Sequence, residues 1–237
     1  MSRPVPVALI VAIAVTVPVI LVADGLRLVT GDWYVRAVYE HGGVPQDDLG
    51  LSEKQRTALA LTGLHSIRPD EKDGLALLDH ARLPDGTLAF TSREIRHMSD
   101  VRTLLDRLYT LQIVAAVVTV ALAVGLAFRP TRRALVPRAI RLGALLTLGL
   151  AALVGILSVV YWPAFSTPFH LLFFGESSWR FADTDTLRRL YPDRFWIDTA
   201  VVLGMLAVVQ ATVLWFLAGA WERRTQGRTR LVAKPAA

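Results

Sequence analysis

Ten consecutive residues, Arg93-Glu94-Ile95-Arg96-His97-Met98-Ser99-Asp100-Val101-Arg102, hold five charged side chains and a histidine. On a helix Glu94, His97 and Asp100 are spaced i, i+3, i+6, and Arg93 precedes His97 by four, so these side chains neighbour one another on one surface. A histidine near its ordinary pKa is the usual side chain for taking and returning a proton at neutral pH. A second histidine, His170, stands in the otherwise apolar run Phe169-His170-Leu171-Leu172-Phe173-Phe174, where it either pairs or does chemistry. Glu-x-x-His also resembles half of a di-metal carboxylate bundle, but that architecture needs a second such motif and two more glutamates, which the apolar blocks lack. A zinc site from His97, Asp100 and His170 is open on residue type alone; no metal and no cofactor is expected.

The elements that must position these residues follow from hydropathy. Residues 4–23, 109–128, 142–161 and 199–221 are free of charge. Each is about 20 residues, the length an α-helix needs to cross a hydrocarbon core of roughly 30 Å. The expected fold is an all-α membrane protein, with four transmembrane helices and a small, mainly helical extracytoplasmic cap. A titratable cluster at the mouth of a span is costly near lipid and is therefore a functional candidate by default.

The net charge of +6 suggests nucleic acid until it is sorted by segment. Residues 1–3, 129–141 and 222–237 carry eleven basic residues against the single acid Glu222, while 24–108 and 162–198 hold fifteen basic and nineteen acidic ones. The positive-inside rule then puts both termini and the 129–141 loop in the cytoplasm, and no nucleic-acid partner is needed. The expected order is helix 1 over residues 1–23, a cap and the start of helix 2 over 24–107, and helix 2 over 108–128. A basic cytoplasmic loop over 129–141, helix 3 over 142–162 and an outer, interfacial segment over 163–198 follow. Helix 4 over 199–221 and a basic tail over 222–237 complete it. The first block reads as an uncleaved anchor, because its apolar run exceeds the roughly 7–15 residues of a signal core and its exit lacks a small-x-small site. With no cysteine in the chain, thiol nucleophiles and disulfides are excluded.

Within the first outer segment, Ser52-Glu53-Lys54-Gln55 opens a helix-like stretch, Pro84-Asp85-Gly86 is a turn signal, and Leu88-Ala89-Phe90 could pair as a strand. Thr91-Ser92-Arg93-Glu94 reads as a capping box, so helix 2 should begin outside and run into the bilayer. Further on, Trp162-Pro163 and Ser166-Thr167-Pro168 should end helix 3, leaving residues 169–174 as an aromatic strip at headgroup depth. Trp179, Phe181, Tyr191 and Phe195-Trp196 add interfacial anchors. His41, His65 and His80 read as solvated, and Gln210 as an interhelical hydrogen bond.

The block from Phe90 through Arg93-Glu94, His97-Met98 and Asp100-Val101-Arg102 resembles the signature of the bacterial four-span family of lipoprotein intramolecular transacylases. Arg102 stands where lysine is commoner. Phe169-His170 with Phe173-Phe174, Trp179, Phe181, Tyr191-Pro192 and Phe195-Trp196 is similar to that family's second element. The resemblance implies a cell-membrane acyltransferase whose partners are diacylglyceryl-modified lipoproteins and membrane lipid. It would move the sn-2 acyl chain to the α-amine of the N-terminal cysteine and leave a lyso-form lipoprotein.

An α-amine has an ordinary pKa of about 8 and attacks only when neutral. On this reading His97 is the general base, Glu94 or Asp100 orients it, His170 is a second acid/base or oxyanion donor, and Arg93 stabilises charge. Phe169, Phe173, Phe174 and Trp179 would contact the acyl chains. The competing class is a non-enzymatic membrane chaperone or assembly factor. A transporter is disfavoured because no charge lies mid-span.

Overall fold

The computed structural model describes residues 4–41, 44, 50–129, 131–175 and 178–232. Among them lie the helices α1 (Pro4–Val29), α2 (Asp32–His41), α3 (Glu53–Ile67), α4 (Ala76–His80) and α5 (Ser92–Ala127). α6 (Leu135–Val160), α7 (Trp162–Phe174), α8 (Thr186–Leu190) and α9 (Asp193–Val232) follow. α1, α5, α6 and α9 are long and apolar enough to cross a membrane. The chain is an all-α, multi-pass membrane protein. It divides into two units, one of Met1–Gly25, Thr110–Leu153 and Gly204–Ala237, the other of Leu26–Tyr109 and Val154–Leu203.

The first unit is the packed part of the long helices. Lipid tails are as apolar as leucine, so helices associate through close packing of small residues and a few polar bonds. Ala14, Ala139, Ala144, Ala207, Ala211 and Ala218 are buried, whereas Val117, Val120, Leu153 and Phe216 point outward. Thr16 and Thr119 share a hydrogen bond of 2.6 Å between α1 and α5. Gln112 donates to Asp24 at 2.5 Å, and Gln210 reaches the Leu21 carbonyl at 3.5 Å, an interhelical bond as expected. Arg138 and Arg141 on α6 pair with opposite oxygens of Glu222 on α9 at 2.9 and 3.0 Å.

The second unit carries the candidate chemistry. Ser52 and Gln55 close a complete capping box at the start of α3. Thr91 and Glu94 form another at the head of α5: the Glu94 amide donates to Thr91 Oγ1 at 3.3 Å, and the Thr91 amide donates to Glu94 Oε2 at 2.7 Å. Leu59, Leu78, Phe90, Met98, Leu187 and Leu190 form a core beneath these termini. Arg102 gathers one carbonyl from the last turn of α3, which has no intrahelical partner, and three from the segment that follows. Its Nη1 donates to Ser66 and Arg68, and its Nη2 to Pro69 and Glu71, at 2.6 to 3.3 Å.

Several elements differ from the sequence expectation. The apolar run at 88–90 forms a single antiparallel bridge, Arg82 to Leu88, around the Gly86 turn rather than a strand. The basic loop is shorter, because α6 starts at Leu135; Pro137 falls in its first turn, where no intrahelical N–H bond is lost. Residues 169–174 belong to a helix. α7 restarts one residue after α6 ends, with Pro163 in its first turn and Pro168 inside. Pro168 removes only one backbone bond, and the helix ends at Gly175, whose positive φ of 67° with ψ −155° is a conformation open to glycine. His65 is partnered, its Nε2 lying 2.8 Å from Asp32 Oδ1; His41 and His80 are exposed.

Candidate active site

His97 lies one turn inside α5 and His170 two turns inside α7. Their rings stack at 6.2 Å between centroids, with planes 21° apart. Aromatic side chains enclose the pair. Phe174 meets the His97 ring at 5.0 Å and Phe181 meets it at 5.3 Å, both edge-on. Trp179 lies against His170 at 4.7 Å, and Phe169 touches the same ring at 5.7 Å. His97 is buried to 9% exposure.

The ring nitrogens are differently used. His170 Nδ1 is 2.7 Å from the Ser166 carbonyl. A carbonyl can only accept, so Nδ1 carries the proton and Nε2 keeps its lone pair. Burial pushes the His170 pKa below the ordinary 6.5, partly opposed by the bond to Ser166. The imidazole is therefore neutral, and basic at Nε2, at physiological pH. His97 Nδ1 is buried without a hydrogen-bond partner. An orphaned polar atom in a site is costly unless another molecule supplies its partner.

The remaining predicted site residues do not all converge on the imidazoles. Glu94 is fully buried. Its Oε2 accepts from the Thr91 amide and hydroxyl, and its Oε1 accepts from the Leu187 amide at 2.7 Å. Asp100 is exposed on α5. Arg93 donates to Asp185 Oδ2 at 2.6 Å and its guanidinium lies 5.5 Å from the Phe181 ring. Phe174, Trp179 and Phe169 pack on the histidines, and Phe169 and Phe173 also present 36% and 45% of their surface outward. The sequence offered Phe181 as an anchor and as part of the family's second element, and Ser166 only as part of a helix-ending signal; it gave no sign of Asp185. A main-chain carbonyl and a partner 92 positions from Arg93 leave no local signal. Among the described residues, no three His, Asp or Glu side chains gather as a metal-binding group.

A family model described as lipoprotein intramolecular transacylase Lit matches residues 9–196. The chain belongs to the lipoprotein intramolecular transacylase family. It is accordingly a membrane enzyme of the acyltransferase class. An uncharacterised protein of Aquifex aeolicus (strain VF5) is 29% identical over 199 residues, spanning 84% of this chain and 88% of that one. The solved structure of the lipoprotein intramolecular transacylase Lit from Bacillus cereus superposes with a TM-score of 0.74 at 13% identity, covering 97% of this chain and all of that one. A histidine-to-arginine variant of the same Bacillus cereus protein gives 0.69 at 14% identity, covering 96% and 95% of the two chains. At such identity the likeness is one of fold, and it extends over the whole transacylase architecture.

Proposed function

We propose that this transacylase moves the sn-2 acyl chain of a diacylglyceryl lipoprotein onto the α-amine of its N-terminal cysteine, at the outer face of the cell membrane. The observation that carries this reading is the stacked pair His97–His170 in an aromatic enclosure. Nucleophile and ester belong to one molecule, so the protein has to fold the substrate into an attack geometry and handle one proton. Holding reacting groups together can lower a barrier by about 7–11 kcal/mol in favourable cases. The amine nitrogen attacks the ester carbonyl carbon and gives its proton to a histidine. The carbon–oxygen bond to glycerol then breaks, and the glyceryl oxygen takes that proton back. His170 Nε2, with its lone pair fixed by Ser166, suits the role of acceptor and donor. His97 lines the other side of the reacting centre, and the outward faces of Phe169 and Phe173 suit an acyl chain. Arg93 and Glu94 enter as positioning residues, since their bonds run to Asp185, Thr91 and Leu187.

The test is expression in a bacterium lacking apolipoprotein N-acyltransferase, with mass spectrometry of lipoprotein N-termini. The lyso form is expected with the unaltered protein and absent with His97→Ala and His170→Ala. Full conversion by both variants would sink the histidine mechanism. No conversion by well-expressed unaltered protein would favour a binding or assembly role.

A further inference from the structure

An ester in a protein site faces two nucleophiles. Attack by the amine yields the amide and a free glyceryl hydroxyl; attack by water yields a free fatty acid and the same hydroxyl. A transacylase must therefore exclude water from the carbonyl as well as present the amine. Phe169 and Phe174 cover the histidines from α7, and two further rings come from the non-helical segment 178–185. Trp179 lies on His170 and Phe181 on His97, so each imidazole has one ring from this strap.

Rings on an irregular segment keep their place only if the backbone is fastened. Trp179 Nε1 donates to the Gly175 carbonyl at 2.7 Å. At the other end Asp185 makes the fastening. Its Oδ2 accepts from the Ala182 amide at 2.7 Å, immediately after Phe181. The Asp185 amide donates back to the Ala182 carbonyl at 2.9 Å, closing a reciprocal turn. The same Oδ2 receives Arg93 Nη2 at 2.6 Å. Asp185 thus ties the strap both to itself and to the head of the His97 helix, and its side chain is 15% exposed.

We infer that Asp185, through its bonds to Arg93 and Ala182, holds the Trp179–Phe181 strap shut over the histidines and so sets the partition between acyl transfer to the amine and hydrolysis by water. Asp185 is a positioning residue: it acts through Phe181 and touches no reacting atom. The inference rests on the proposed transfer reaction.

The experiment uses the full-length protein in lipid with a synthetic diacylglyceryl lipopeptide. Mass spectrometry measures the ratio of free fatty acid to N-acylated lyso-lipopeptide. Asp185→Ala and Arg93→Ala should each raise that ratio by about three- to tenfold, the scale of losing a partly exposed ion pair and its hydrogen bond. The double variant should raise it no further than Asp185→Ala alone, because the bond lost in Arg93→Ala is already lost when Asp185 is removed. Asp185→Asn keeps an acceptor for Ala182 without the charge; it should give an intermediate ratio and serves if the alanine variant does not fold. An unchanged ratio in folded Arg93→Ala and Asp185→Asn, with transfer intact in the unaltered protein, overturns the inference alone. Unaltered protein that leaves the lipopeptide untouched overturns the proposed function and this inference with it.

Discussion

At the scale of single residues, the two histidines are made unequal by their surroundings. His170 is held below the ordinary imidazole pKa by burial, so its neutral, basic form persists as pH falls through 6.5. In a pH–rate profile of lyso-form production, the limb set by the substrate amine, with its ordinary pKa of about 8, should be followed by a second decline on the acid side of 6.5, where His170 takes up a proton. Trp179→Ala should let water reach the ring and move that second decline upward toward 6.5, since desolvation is the larger cause of the shift. An unmoved profile in that variant would mean another group is being titrated. The histidines themselves were legible in the sequence, because an imidazole within charge at a membrane mouth, or within an aromatic run, is conspicuous. Their division of labour was not. It depends on the Ser166 carbonyl, one helical turn upstream, which bonds only once residues 162–174 are helical.

At the scale of elements, the charged cluster at 93–102 is chiefly an arrangement of joints. Glu94 binds three donors while fully buried. Glu94→Ala should lower the melting temperature, with a loss of about 1–3 kcal/mol for each donor left buried and unsatisfied; Glu94→Gln should lose less. Arg102→Ala should also destabilise, by releasing the Ser66 carbonyl in the last turn of α3 and the three after it. Arg102→Lys should recover part of that stability, because an ammonium has donors but not the planar fork that reaches carbonyls on both sides. Gly63→Ala should be costly as well. A Cβ there would sit 2.5 Å from the Tyr191 phenol oxygen, which donates to the Ala60 carbonyl. The capping box of Thr91 and Glu94 was readable because it closes within four residues, while Ser52-Gln55 was read only as a helix start. α7 was not, since two prolines outweigh a short apolar stretch unless their positions in the turn are known. The partner of His65, 33 residues away at Asp32, was equally out of sight.

At the scale of the whole molecule, the four spans follow from composition, and the arginine distribution adds a direction. The chain has no cysteine, so single cysteines report topology cleanly. Lys72→Cys, between α3 and α4, should react with a membrane-impermeant thiol reagent on intact cells. Thr131→Cys, between α5 and α6, should react only after permeabilisation. The reverse pattern would invert the orientation read from the basic loops.

The histidine pair joins residues 73 positions apart, and Glu94 takes its Leu187 amide from 93 positions downstream. During biosynthesis α5 is therefore made long before either partner exists. Closing so long a loop is entropically costly until the contacts that reward it are available. The nascent chain can hold His97 and a capped helix start, yet it has neither the second imidazole nor the amide for the last Glu94 oxygen. Assembly of the second unit must wait for α7 and α8 to be synthesised, and a ribosome stalled after α6 would leave a membrane intermediate without acyl-transfer activity.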